Sequence, residues 1–138
     1  MQEKTTEHKQ MPLNKSLRDE EKERINAILK KLVELLYVPD FGKGEIDEEL
    51  KSFGLTTDIL LSLSGTELIT HLGKLNFDWE SLEQFADYLL LLPDKMVSEK
   101  SNLIEKALLI YNYIQSESKT FSFGIIGKID LAKSKIFG

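Results

Sequence analysis

Apolar residues in this chain recur every three or four positions and almost never every second one. Ile25, Ile28, Leu29, Leu32, Val33, Leu35 and Leu36 share one broad face at helical spacing. Trp79, Leu82, Phe85, Ala86, Leu89, Leu90 and Leu92 share another. Leu103, Ala107, Ile110, Tyr111 and Ile114 form a third stripe, and Ile104, Leu108, Leu109 and Tyr113 lie beside it, so this segment is apolar almost all round. No run of four or more residues alternates cleanly, so the strand pattern has no foothold. The expected fold is all-α, with six to seven helices in an antiparallel array.

Start and stop signals divide the pattern. Ser16 can cap the first helix, with Asp19, Glu20 and Glu21 in its first turn, and Pro39 ends it. DFGKG (Asp40–Gly44) reads as a loop, followed by a short helix to Phe53 that Gly54 stops. Thr56 or Thr57 opens the next. In SGTE, Ser64 and Glu67 have capping-box spacing, and Gly73 is expected to close that helix. Asp78 caps the following helix and Pro93 terminates it. Ser98 or Ser101 starts a longer helix that reaches about Ser116. The first fifteen residues are polar and aperiodic and read as a flexible arm, which leaves 16–138 as a single helical domain.

Composition and charge narrow the function classes. A chain of 138 residues, 41% hydrophobic and 30% charged, is long enough for one real core. Residues 1–24 balance to zero charge, 25–100 carry −7 and 101–138 carry +2. An acidic body opposes phosphate neutralisation, so nucleic acid is not an expected partner. No apolar run approaches the ~20 residues of a membrane span, and no apolar leader opens the sequence. With no cysteine there is no thiolate chemistry or disulfide, and a cytoplasmic location is expected.

Four stretches resemble chemical motifs and fail on inspection. Gly124, Gly127 and Lys128 form G-x-x-G-K. However, Phe121, Ile125, Ile129, Ala132 and Ile136 fall within an arc of about 80° at 100° per residue, which makes the segment an amphipathic helix capped by Thr120 or Ser122. A phosphate loop would also need Gly in place of Ser122 and Ser or Thr in place of Ile129. DFGKGEIDEELK lacks side-chain oxygens at Gly42 and Gly44, the glycine where Glu45 stands, and the glutamate where Lys51 stands, so it does not fit a calcium loop. Glu67 and His71 share a helix face, yet two ligands do not make a metal site, and His8 is the only other histidine. The acid pair Glu80 and Glu83 belongs to a solvated face. No catalytic, cofactor-binding or metal residue is assigned.

LSLSGTELITHL (Leu61–Leu72), DWESLEQFADYLLLL (Asp78–Leu92) and EKALLIYNYIQSESKTFSFGIIGKI (Glu105–Ile129) together resemble an uncharacterised bacterial all-helical family, a domain of unknown function. The C-terminal half is similar to tetratricopeptide helix pairs. Ala107 and Tyr111 match the small and aromatic positions of a repeat's second helix, and Ala86 the small position of its first. The connector is longer than in a standard repeat, and Lys119 and Thr120 stand where its proline would be. The resemblance implies a helical array and no particular activity.

The remaining signal lies in apolar residues outside the main stripes: Leu91, Leu109, Tyr113, Phe123, Ile126 and Phe137. A compact array is expected to bury them on a second face. Left exposed together, they would form a partner or dimer surface. The functional expectation is a non-enzymatic interaction module with a protein partner or a second copy of itself. The alternative is a small-ligand binder or enzyme with a pocket between helices.

Overall fold

The computed structural model describes the backbone of residues 7–39, 42–120 and 122–137, and side chains from Leu17 onward except that of Phe137. Among the described residues seven α-helices follow one another: α1 (Glu7–Leu35), α2 (Lys43–Leu50), α3 (Thr57–Ser62), α4 (Gly65–Lys74), α5 (Trp79–Leu91), α6 (Lys100–Glu117) and α7 (Phe123–Phe137). Short 3₁₀ turns occupy Lys51–Phe53, Leu92–Asp94 and Val97–Glu99. No strand occurs among the described residues, so the chain is all-α.

Local chemistry sets most boundaries. Thr56 accepts the Ile59 amide at 3.2 Å to open α3. Ser64 accepts from the Glu67 amide at 3.0 Å while the Glu67 carboxylate takes the Ser64 amide at 2.9 Å, a complete capping box for α4. Asp78 accepts from the Ser81 amide at 2.8 Å to open α5, and Ser122 from the Ile125 amide at 3.2 Å to open α7. Gly54 adopts φ 70° after the Lys51–Phe53 turn, the left-handed conformation that a glycine stop supplies.

Four boundaries differ from the sequence reading. α1 begins at Glu7, not Ser16, and so takes in most of the stretch expected to be a flexible arm. Glu7, Lys9, Gln10, Met11, Leu13 and Lys15 favour a helix without making an apolar period, and periodicity alone does not detect such a segment, which here also contains Pro12. Residues 1–6 of that expected arm lie outside the described residues. α2 begins at Lys43, inside the expected loop, with the Glu45 carboxylate reaching back to the Gly42 amide at 2.6 Å. Asp40 and Phe41 lie outside the described residues. Gly73 does not stop α4. The helix runs to Lys74, and Asn76 takes the left-handed role at φ 69°, a conformation asparagine tolerates better than most residues. α6 begins at Lys100 with no side-chain cap, so neither Ser98 nor Ser101 caps it.

α6 is the central rod, in contact with α4, α5 and α7. Leu103, Ile104, Ala107, Ile110 and Tyr111 on it are fully buried, as its broad apolar surface requires. α1 covers α2 and α5, bringing Ile25, Leu29 and Leu32 into the core. Around the Lys51–Phe53 turn, the link between α4 and α5, and α5 itself, the core is aromatic. Phe53, Phe77 and Phe85 meet edge to face with ring centres 5.1, 6.1 and 6.4 Å apart, and Tyr88 lies 6.3 Å from Phe85. Such edge contacts align ring quadrupoles favourably.

The G-x-x-G-K stretch is helical throughout. Ile125 and Ala132 are buried, with Ile129 and Ile136 packed beside them; Phe121, expected on the same stripe, lies outside the described residues. Lys128 grips α5 instead of an anion. Its ammonium pairs with Glu83 and, at 3.0 Å, with Asp87, and the Asp87 carboxylate also accepts from the Tyr111 hydroxyl at 2.6 Å. Burial opposes the Lys128 charge, but the two carboxylates outweigh it and raise the ammonium's pKa. One polar clasp thus ties α5, α6 and α7 together. Gly127 faces open space: a methyl group there would meet nothing within 4 Å. Gly127→Ala should therefore stabilise the protein by about 0.5–1 kcal/mol, since a helical glycine loses more backbone entropy than alanine. Urea unfolding of the variant measures this directly, and a loss of stability would show that the position needs its glycine.

Candidate functional site

One side of α6 is left uncovered. Its stripe Leu109–Asn112–Tyr113–Ser116 faces the Thr66–Ile69–Thr70–Gly73 stripe of α4 across an open trough of about 460 Å³. Early α4 residues lie beside Leu109 and late ones beside Tyr113, so the two helices run side by side in the same sense. The trough lengthens at both ends. Through Ile69, Gly73 and Tyr113 it opens into a recess of about 230 Å³ bounded by Phe77, Trp79 and Leu82. Through Leu109 it joins a pocket of about 450 Å³ formed by Gly65, Asn102, Glu105 and Lys106. From Asn102 to Ser116 along α6 this is a channel of about 21 Å at ~1.5 Å per residue.

The middle of the channel is apolar and partly exposed. Leu109 is 40% exposed, Tyr113 37% and Trp79 41%. Trp79 and Tyr113 stack in a tilted pair with ring centres 5.7 Å apart, forming one raised wall. No charged side chain lines the stretch from Thr66 to Ser116. Gly65 explains how α4 comes so close to α6. A Cβ there would overlap the Leu109 Cδ2 atom, so glycine is what admits that side chain. The capping box holds this end of α4 in place.

The two ends are polar and differ. Toward the α5 N-terminus, Asp78 and Glu80 pair with Lys22 of α1 at 3.3 and 2.8 Å. Burial pushes the Asp78 carboxyl up, but hydrogen bonds from Ser81 and Lys22 prevail and hold it below the usual carboxylate range. At the other end stands Lys106, only 7% exposed. Its ammonium donates to the Asn102 side-chain oxygen and, at 3.4 Å, to the Leu61 carbonyl, and it forms no ion pair with any described carboxylate. Burial lowers its pKa, partly offset by Glu105 and Glu99.

The off-stripe residues are not buried as a set. Leu109 and Tyr113 line the channel. Leu91 at 38% and Phe123 at 81% are exposed elsewhere, and neither lines it. Ile126 is half-buried on α7. Phe137 ends α7, and its side chain lies outside the described residues. The expected second-face burial fails for Leu109 and Tyr113, which line the open trough beside α4 and keep 40% and 37% of their surface exposed. The sequence reading placed Trp79 in the core; it begins α5 and turns outward onto the channel rim. It also missed Ile69 and Lys106. Ile69 is half-buried, packed against the core with one side on the trough, and burial of a lysine is set by tertiary packing. His71 is engaged structurally, its Nε2 lying 2.6 Å from the Phe53 carbonyl oxygen. Among the described residues no three acidic or histidine side chains gather as metal ligands.

No known protein family matches the chain, nor does any curated protein or solved structure. The channel is thus described by its own chemistry alone. Among the described residues, no helix is long and apolar enough to cross a membrane.

Proposed function

We propose that this protein is a non-enzymatic helical interaction module that holds a protein segment in the channel between α4 and α6. The observation that carries this reading is the uncharged, partly exposed middle of the channel, where Leu109, Tyr113, Ile69 and Trp79 line an open trough. Aromatic side chains beside apolar ones, clear of charge, are the composition of interface centres. An open trough suits an elongated occupant better than a small molecule, which is normally buried in a closed cleft. The reading includes a tetratricopeptide-like pairing of α5 and α6 as the scaffold. Buried Ala86, Ala107 and Tyr111 on the two packed helices support it. The family resemblance and an intracellular setting belong to the same proposal.

The test is site-specific photocrosslinking in cells. A photoreactive residue replacing Leu109 should give a discrete adduct, and Tyr113→Asp in the same chain should reduce it at least tenfold. The same probe at Val97, exposed and outside the channel, should give none. Equal labelling at Val97, or adducts indifferent to Tyr113→Asp, would remove the channel as the docking site. An adduct of the chain with itself would identify the occupant as a second copy.

A further inference from the structure

The Lys106 end of the channel specifies more than an apolar occupant. An ammonium has three N–H donors, and the described residues accept two of them: the Asn102 oxygen and the Leu61 carbonyl. Both acceptors are neutral. The side chain is buried, yet it lines the pocket that continues the trough through Leu109. Burying a cation without an opposite charge is costly, and a protein normally supplies a carboxylate. Here none among the described residues comes within ion-pair distance. The charges facing Lys106 are those of Glu105, on the pocket rim, and Glu99. Glu105 is exposed, so water and salt screen its field, and the Lys106 side chain is far less exposed than the Glu105 side chain. Asn102, one turn before Lys106, fixes the amine in place through a carboxamide that carries no charge.

We infer that the channel takes a helical segment of about fourteen residues from a protein partner, its apolar face over Leu109 and Tyr113 and a carboxylate at one end seated against Lys106. The inference rests on the docking reading above and adds the occupant's charge and direction. The carboxylate, an aspartate, a glutamate or a chain terminus, accepts the third N–H and supplies the missing counter-charge. The far end of the channel already holds its own ion pairs between Lys22, Asp78 and Glu80, so it offers no equivalent call for a charge. One cation without an ion-pair partner among the described residues, at one end only, thus fixes which way round the segment lies. Lysine also marks this end as a point-charge contact, tolerant of how the carboxylate is presented.

The test is selection from a displayed library of sixteen-residue helix-forming peptides on the intact chain. The wild type should enrich peptides with an apolar stripe at i, i+3/i+4 and i+7 and an acidic residue or free C-terminus at one end. On the Lys106→Glu variant the same terminal position should switch to Lys or Arg. Affinity of the best acidic peptide should fall at least tenfold on Lys106→Met, which keeps the volume and is the control if Lys106→Glu folds poorly. Apolar stripes recovered with no terminal charge preference, or with affinity unchanged on Lys106→Met, would overturn the inference and leave the docking reading standing. If nothing enriches on the wild type above the Tyr113→Asp variant, the docking reading itself falls.

Discussion

Phe85→Ala should lower the unfolding free energy by about 3–5 kcal/mol, the usual loss for a buried aromatic reduced to a methyl group. Phe85 is fully buried and is the ring that touches Phe53, Phe77 and Tyr88 at once. Its loss removes apolar burial and three ring contacts, and the rigid helices around it cannot close the space. At roughly 3 °C per kcal/mol for a chain of this size, the melting temperature should fall by about 10–15 °C. Phe85→Leu restores part of the volume and should recover about half of the loss. A drop under about 1 kcal/mol for Phe85→Ala would mean the aromatic cluster is not the centre of the core.

Asp87→Ala should cost about 2–3 kcal/mol and act mainly on α7. The carboxylate accepts from the Tyr111 hydroxyl and pairs with Lys128, so one truncation leaves a shielded hydroxyl without an acceptor and a lysine with Glu83 alone. Lys128 is about one-third exposed, so the ion-pair share is small after solvent screening, and most of the loss comes from the stranded hydroxyl. Asp87→Asn keeps an acceptor for Tyr111 and should lose only about 1 kcal/mol. Hydrogen exchange locates the effect: amides of Ile125 to Ala132 should exchange faster in Asp87→Ala, with α1 and α2 unchanged. Uniform protection across the chain would show that α7 is held by its apolar face alone.

These two sites mark the limit of what the sequence reveals. Caps are local, and Thr56, Ser64, Asp78 and Gly54 occupy the positions their chemistry predicts. The helical faces of α1, α5 and α6 were legible for the same reason, since period alone assigns a side. What period cannot say is which neighbour covers that side. Leu109 and Tyr113 stood out as surplus apolar residues, but their exposure depends on where α4 parts from α6. Trp79 had the spacing of a core residue and yet lies at the first turn of its helix, where the side chain can swing outward. Lys106 looked like any surface lysine, standing between Glu105 and Ala107. Its burial depends on Leu61 and Asn102, one of them far away in sequence, and no pattern along the chain encodes that meeting. Lys128 gave the reverse case, a residue inside a suggestive motif whose role is to hold two helices together.

The absent side chain at position 65 has a further consequence. The tip of Leu109 fills the space a methyl group would occupy, so any side chain there must first push that tip aside. That tip belongs to a partly exposed leucine, so a substitution at position 65 should turn it further into the groove before either helix moves. The contour of the groove can thus be altered by selection at a position that now presents only backbone to it.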